Sequence, residues 1–206
     1  MRDEQGSRQG KLITGTILLC LAGTAANYGL MRFSAIIGTG LFLDTAFTIA
    51  VTFAGGLTAG IITAVLSTAI SGIGWYSFWG FYLFGLCSIA TAVLTYIFIR
   101  RFSKEPDPGL LDRIIMLVLL SLGLCALMSV LGGIIAVFIQ RVLLNPIDDP
   151  NPETYFKLGL LKNGLGLAAA EILARIPVNI VDRFVSVFTG YGAAWLLART
   201  GFLRTK

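Results

Sequence analysis

The sequence predicts an all-α membrane protein, a bundle of six transmembrane helices with both termini in the cytoplasm. Composition is the first reason: 56% of the 206 residues are hydrophobic and 13% are charged, against roughly 25% charged in a soluble domain. Charge placement is the second, because only Arg32 and Asp44 are charged between Lys11 and Arg100. Apolar runs of membrane-spanning length then recur along the chain. We therefore expect residues 1–206 to form a single integral membrane domain.

About 20 helical residues cross a bilayer core that is about 30 Å thick, and this length identifies the spans. The predicted spans are Leu12 to Met31, Asp44 to about Phe53, Leu57 to about Ile73, Phe78 to Ile99, Ile114 to Ile139 and Pro177 to about Ala198. The second run is too short to cross unless residues 38–43 contribute or protein surrounds it. The first is too long for a signal-peptide core and no cleavage pattern follows it, so we expect a retained helix.

Two polar segments separate these spans. Residues 100–112 start with a basic cluster and contain two prolines that end a helix. Residues 141–175 include an acidic, proline-containing stretch over 145–153. A helix of mixed character follows from Tyr155 to Arg175, and its composition is compatible with a position on the membrane surface.

Basic residues set the predicted orientation. They cluster before the first span, after the fourth and after the sixth: Arg2, Arg8, Lys11, Arg100, Arg101, Lys104, Arg199, Arg204 and Lys206. The positive-inside rule places all three clusters in the cytoplasm. Residues 1–11 and 100–112 are then cytoplasmic, and 141–175 are extracytoplasmic. Because the positive charge is explained by the membrane, we expect no nucleic-acid partner.

Several classes of chemistry lose support from the composition. The chain has no histidine, which is the commonest ligand of zinc and the usual general base near neutral pH. Its three cysteines each lie inside an apolar run and are expected to be buried. No nucleotide-binding glycine motif is present. We therefore expect no metal site, no cofactor and no enzyme activity, and any ATP hydrolysis would have to occur on separate subunits.

A polar stripe enters the last predicted span. Arg175, Asn179, Asp182 and Arg183 are spaced so that they share one helical face. Ionisable groups inside a membrane cost about 2.5–3.5 kcal/mol each and usually face the bundle interior or a wet cavity. The stripe therefore favours a solute pocket that opens outward. In the competing interpretation Arg175 reaches the headgroups while Asp182 pairs with an arginine to fix helix packing.

Other candidate residues carry similar alternatives. Asp44 is the lone acid of its region and lies at a predicted helix start, where it either caps the helix or contacts a ligand. Trp75, Tyr76 and Trp79 belong to a cluster of aromatic residues between the third and fourth spans. Such a cluster is typical of an interfacial belt, and its rings could also form the walls of a ligand pocket.

Small residues spaced by four positions mark a face of the first span. Ala22 and Ala26 would let another helix approach closely in lipid. That helix could belong to this chain or to a partner membrane subunit.

Two stretches of the sequence resemble the substrate-binding S components of energy-coupling-factor (ECF) transporters. The first is GTGLFLDT at 38–45, which leads into AGGLTAG at 54–60, and the second is IPVNIVDR at 176–183. The resemblance implies a six-helix bundle that captures a micronutrient through the loop after helix one and the outer ends of helices four to six. It also implies a transmembrane coupling subunit, which would contact Ala22 and Ala26, and two ATPase subunits.

The expected function is therefore that of a substrate-binding subunit of an ECF-type importer in a prokaryotic plasma membrane, taking up a vitamin or related small organic molecule. Its polar contacts would come from Asn179, Asp182, Arg183, Arg175 and Asp44, and its walls from Trp75, Tyr76 and Trp79. No motif identifies the ligand. The alternatives are a ligand-sensing membrane module that signals to a partner protein, and a structural membrane protein without a ligand.

Overall fold

The computed structural model describes residues 2–75, 79–102, 109–143 and 152–200, and every regular element in these ranges is a helix. The elements are α1 (Arg2–Ile37), α2 (Ala46–Trp75), a 3₁₀ helix (Trp79–Phe84), α3 (Gly85–Phe102), α4 (Leu110–Val142), α5 (Pro152–Lys162) and α6 (Leu167–Arg199). The prediction of an all-α fold is confirmed.

Within the described ranges, four helical segments have the length and apolar composition of a membrane span: Ile13–Ile37, Ala46–Ile73, Gly80–Phe102 and Leu110–Val142. In the 18-residue stretch that qualifies each segment, at most 44% of the residues are buried inside the bundle, so most residues there keep some exposed surface. An exposed apolar surface of this extent is satisfied by lipid and not by water. The chain is therefore a helical membrane protein, as predicted.

Helix α2 is a hairpin with two arms, residues 46–55 and 57–75. Gly56 joins the arms with φ 80° and ψ −174°, a conformation open essentially to glycine alone. The side chain of Asn27 in α1 donates to Thr48 of the first arm (2.9 Å) and to Ser67 of the second (3.1 Å). Both arms therefore reach the same level of the bundle, and the predicted helix break at Gly55-Gly56 is confirmed.

The short first arm is surrounded by protein. Six of its residues are at most 1% exposed: Ala46, Thr48, Ile49, Ala50, Val51 and Thr52. Helix α2 packs against α1, α3 and α6, and α4 packs along α6. The run from Asp44 to Phe53, which is too short to cross a membrane alone, is therefore surrounded by protein, one of the two arrangements that the sequence allows.

The core shows how the helix ends are arranged. Ile49 of α2, Leu120 and Leu124 of α4, and Val187 of α6 form its centre. Leu19, near the start of the apolar segment Ile13–Ile37 of α1, packs in a cluster with Leu197 from the end of α6. The start of this segment and the end of α6 therefore lie at the same end of the bundle. The opposite end, where α1 finishes and α6 begins, is called the cavity end below.

Two predicted boundaries differ from the structure. The single helix expected from Tyr155 to Arg175 is divided, because Gly164 has a φ of 88° and stops α5 before α6 begins. Helix α6 then continues through Pro177, where we expected a helix to start. Proline is tolerated inside a membrane helix when neighbouring groups compensate for the lost backbone hydrogen bond.

Candidate ligand cavity

A cavity of about 260 Å³ lies at the cavity end and is lined by every helix of the described chain. Its polar lining consists of Asp44, Thr45, Ser67, Thr68, Ser71, Ser88, Glu153, Arg175, Asn179 and Arg183. The apolar lining consists of Met31, Ala35, Leu41, Phe42, Phe81, Phe84, Cys87, Met128 and Gly132. Polar and apolar residues are nearly equal in number, but by exposed area the wall is mainly apolar, as is usual for a small-molecule site.

The loop over residues 38–45 folds back from the end of α1 into the bundle. Gly38 and Gly40 adopt positive φ values of 67° and 68°, which permit the reversal. Ser34 at the end of α1 donates to the carbonyl of Leu41 (2.6 Å). Leu43 also has a positive φ of 49°, which is unusual for a residue with a branched side chain. Its strained conformation needs support from surrounding structure.

Asp182 provides that support from α6. Its Oδ1 accepts a hydrogen bond from the backbone N–H of Leu43 (2.8 Å), and its Oδ2 pairs with Arg183. Asp182 is fully buried and is not among the residues that line the cavity. Its contacts fix the loop against α6, which agrees with the interpretation that it pairs with an arginine for packing.

Arg183 connects this buried pair to the cavity. Its Nη1 donates to the hydroxyl of Thr45 (2.6 Å), and its Nη2 lies 3.7 Å from Oδ1 of Asp44. The Asp44 side chain is 38% exposed, yet this Oδ1 atom is buried. Burial raises the pKa of Asp44, and the attraction of Arg183 only partly opposes that rise. Asp44 lies two residues before α2 and lines the cavity.

The rest of the polar stripe also faces inward. Asn179 donates to the hydroxyl of Ser129 in α4 (3.0 Å). Arg175 is 8% exposed and pairs with Glu153 of α5, so it does not extend outward to the headgroups. Its guanidinium also lies 5.9 Å from the ring centre of Phe84. Arg175, Asn179 and Arg183 thus contribute to one wall of the cavity from consecutive turns of α6.

A second group of ions attaches α5 to the bundle. Glu171 of α6 accepts from Arg175 (3.3 Å), lies 3.3 Å from Lys157 of α5, and is hydrogen-bonded to Gln140 of α4. Burial raises the pKa of Glu153, while Arg175 lowers it by less. From the sequence, Glu153 is predicted to lie in a polar loop, whereas the structure places it in the wall of the cavity. An acid near the start of a short helix carries no local signal for a contact with α6.

The remaining predicted residues are aromatic residues near the end of α2 and two alanines of α1. The side chains of Trp75, Tyr76 and Trp79 fall outside the part of the chain that the structure describes in full. Phe81 and Phe84, from the same aromatic segment, line the cavity. Ala22 is exposed and Ala26 is half-buried on α1. Across the described residues, no group of three or more His, Cys, Asp and Glu side chains is arranged to bind a metal ion.

The fold and this cavity define a helical membrane protein with a partly open cavity at one end of the bundle. Comparison with protein-family models, with curated proteins and with solved structures found no match. The resemblance to ECF S components is therefore one of sequence, limited to the two stretches at 38–60 and 176–183.

Proposed function

We propose that this chain is the membrane-embedded substrate-binding subunit of an ECF-type importer, which captures a vitamin or a related small organic micronutrient on the outer side of a prokaryotic plasma membrane. The observation that carries the proposal is that the two resembling stretches meet at one cavity. Asp182 and Arg183, from 176–183, contact Leu43 and Thr45, from 38–45. A shared site is the simplest reason for both stretches to occur together.

The size of the cavity supports a small ligand. Its volume of about 260 Å³ is just below the roughly 300–1,000 Å³ of sites for drug-sized molecules. Every described helix contributes to its wall, so a small metabolite would contact protein on several sides. A structural membrane protein would have no need to keep such a space open beside the buried charged side chains of Arg175, Asp182 and Arg183.

Charge distribution supports an outward-facing cavity. Arg100 lies 13 residues beyond the cavity-lining Cys87 on α3, or about 20 Å along the helix axis. Arg199 lies at the far end of α6 as well. The positive-inside rule then assigns that far end to the cytoplasm and the cavity end to the outside. In this arrangement the two arms of α2 count as the second and third spans, and α6 is the sixth.

Two single-cysteine variants test this orientation. Ile36→Cys at the cavity end and Leu110→Cys at the far end replace side chains that are both 77% exposed. Each is made in a background without Cys20, Cys87 and Cys125. A membrane-impermeant maleimide should label position 36 in intact cells and position 110 only after lysis. The reverse pattern would contradict an outward-facing cavity.

Native mass spectrometry of the protein released from its own membranes tests the function itself. We expect a retained small organic molecule, together with a transmembrane coupling subunit and two ATPase subunits. Asp182→Asn should lose the small molecule because the loop over the cavity loses its anchor. Asp112→Asn, which alters an exposed acid at the start of α4, should retain it. Co-purification with a kinase or cyclase instead would favour the sensory module.

A further inference from the structure

The two arginines in the cavity wall already have partners in the protein. Nη1 of Arg175 lies 2.5 Å from a carboxylate oxygen of Glu153, and its Nη2 lies 3.3 Å from one of Glu171. Arg183 pairs with Asp182, and the Nε atom of each arginine is sealed from solvent. An anionic ligand would therefore have to compete with the protein's own carboxylates for either guanidinium.

Asp44 adds a negative charge that these pairs leave over. Its Oδ1 lies 3.7 Å from Nη2 of Arg183, which is already in contact with Asp182. A guanidinium carries one positive charge, so the two aspartates leave an excess of one negative charge around it. The second group of ions, which attaches α5 to the bundle, contains two acids and two bases and does not remove this excess. A positively charged ligand group would balance it.

The carboxylate of Asp44 is open to the cavity that the residue lines. Its side chain is 38% exposed although Oδ1 is sealed, and Oδ2 is neither sealed nor hydrogen-bonded to a described residue. Burial nevertheless raises the pKa of this carboxyl, so protein surrounds it. A group that is surrounded by protein and still accessible borders an internal space.

The neutral polar groups of the wall also offer acceptors. Asn179 is 4% exposed and donates through its amide nitrogen to Ser129, while its Oδ1 accepts no hydrogen bond from a described residue and is not sealed. The hydroxyls of Ser71 and Ser88 are in the same state, and each residue is 5% exposed. Carboxylate and amide oxygens can only accept, and hydroxyls can accept as well as donate. The ligand group that suits this wall is a donor.

Aromatic rings complete the wall in a way that suits the same charge. Phe42, Phe81 and Phe84 all line the cavity, and Phe42 is two residues from Asp44. The face of an aromatic ring attracts a cation through its quadrupole and packs against apolar groups. The rings could therefore hold the apolar body of a ligand whose charged end is at Asp44.

We infer that the cavity takes a small organic cation, with an ammonium-type or amidinium-type group held at Asp44 and an apolar body among the phenylalanine rings. This inference rests on the proposed function and names the chemical class of its substrate. Asn179, Ser71 and Ser88 supply further acceptors for the donor groups of the ligand.

Three probes with the same phenyl ring and a short chain test the charge of the ligand. At pH 7, 2-phenylethylamine is positively charged, 2-phenylethanol is neutral and phenylacetic acid is negatively charged. Isothermal titration calorimetry on the purified full chain in detergent should show that the amine binds at least tenfold more tightly than the other two.

Variants of Asp44 locate the charged end of the probe. Asp44→Asn should weaken the amine at least tenfold and leave the alcohol unchanged, whereas Asp44→Glu keeps the charge and should retain the preference for the amine. Asp112→Asn removes the same charge from the first turn of α4 and should change no affinity. Size-exclusion chromatography checks that each variant is folded. The preference among the probes is measured on the parent chain, so it stays decisive where a variant fails to fold.

Three results would overturn the inference: no binding of the amine to the parent chain at millimolar concentration, equal or tighter binding of the alcohol or the acid, or an Asp44→Asn variant that weakens all three probes equally. The titrations use the isolated chain, so they can fail while co-purified ATPase subunits still identify an importer. Selective binding of the amine without those subunits would instead support the ligand class and contradict the importer.

Discussion

Asp182 and Leu43 are 139 residues apart in the sequence, yet a carboxylate oxygen of Asp182 accepts the backbone N–H of Leu43 at 2.8 Å. Leu43 has a positive φ of 49°, a conformation that costs a non-glycine residue roughly 1–2 kcal/mol. The buried carboxylate therefore holds a strained residue of the loop in place. The same carboxylate pairs with Arg183, which lines the cavity, so loop position and cavity charge depend on one side chain.

Replacing Asp182 by Asn should destabilise the protein by about 3–5 kcal/mol, because it leaves Arg183 buried with only the more distant Asp44 as a counter-ion. The free energy of unfolding in detergent measures the change. Asp112→Asn removes an exposed acid that contacts the N–H of Gly109, and it should cost less than about 1 kcal/mol. Similar losses in the two variants would show that the Asp182 pair has no special role.

Asn27 connects α1 to both arms of α2. Besides its bonds to Thr48 and Ser67, its Oδ1 accepts the N–H of Phe47 in the first turn of α2 (2.8 Å). Asn27→Ala should cost about 2–3 kcal/mol, since a partly buried backbone donor and two buried hydroxyls lose their partner. Thermal unfolding of the detergent-solubilised chain would detect this loss.

Asn163→Ala is the matched control for that substitution. Asn163 is exposed at the end of α5 and bonds only to the nearby Gly159 carbonyl among the described residues. Its replacement should change stability by less than about 0.5 kcal/mol. If Asn27→Ala behaved in the same way, the two arms of α2 would be held together by apolar packing alone.

Much of the fold follows from the sequence because apolar runs and helix-breaking residues are local signals. The hydropathy of α1 and α4 and the break at Gly55-Gly56 are readable without any tertiary contact. The extension of α6 before Pro177 is not, since a proline normally marks a helix start. Whether a helix continues through it depends on neighbours that only the folded bundle provides.

The part of the site that residue spacing predicts lies on one helix. Arg175, Asn179 and Arg183 share a face through their spacing, and that face does line the cavity. The distinction between Arg183 and Asp182 is not visible in the sequence, because adjacent residues on a helix differ by about 100° and only packing decides which faces the cavity. The position of Glu153 at the cavity depends on where α5 packs. Residue spacing in the sequence carries no information about that packing.

Gly56 should be intolerant of any side chain, although nothing lies within 4 Å of the position that a Cβ would occupy. The whole cost of Gly56→Ala would come from its backbone conformation, at about 1–3 kcal/mol. Gly29→Ala on α1 also places its methyl in open space, but in a regular helix. That control should be neutral or stabilising by up to about 1 kcal/mol in thermal unfolding. Equal effects would mean that the turn of the α2 hairpin accepts other conformations.

Glu153 should make stability depend on pH. Burial raises its pKa above the ordinary value of 4.5, so ionising this carboxyl is harder in the folded than in the unfolded chain. Its contribution to stability is then complete below about pH 4.5 and is lost as the pH rises through the folded value. In Glu153→Gln this loss disappears, so the variant's unfolding midpoint should rise relative to the parent's between pH 4 and 8.

The same substitution also removes the contact with Arg175, which would lower the unfolding midpoint by the same amount at every pH. The change of the midpoint difference with pH is therefore the relevant measurement. Asp112→Asn is the control for the removal of an exposed carboxyl. If the difference in unfolding midpoint between Glu153→Gln and the parent stayed flat or fell with pH, the attraction of Arg175 would outweigh the effect of burial on the pKa of Glu153.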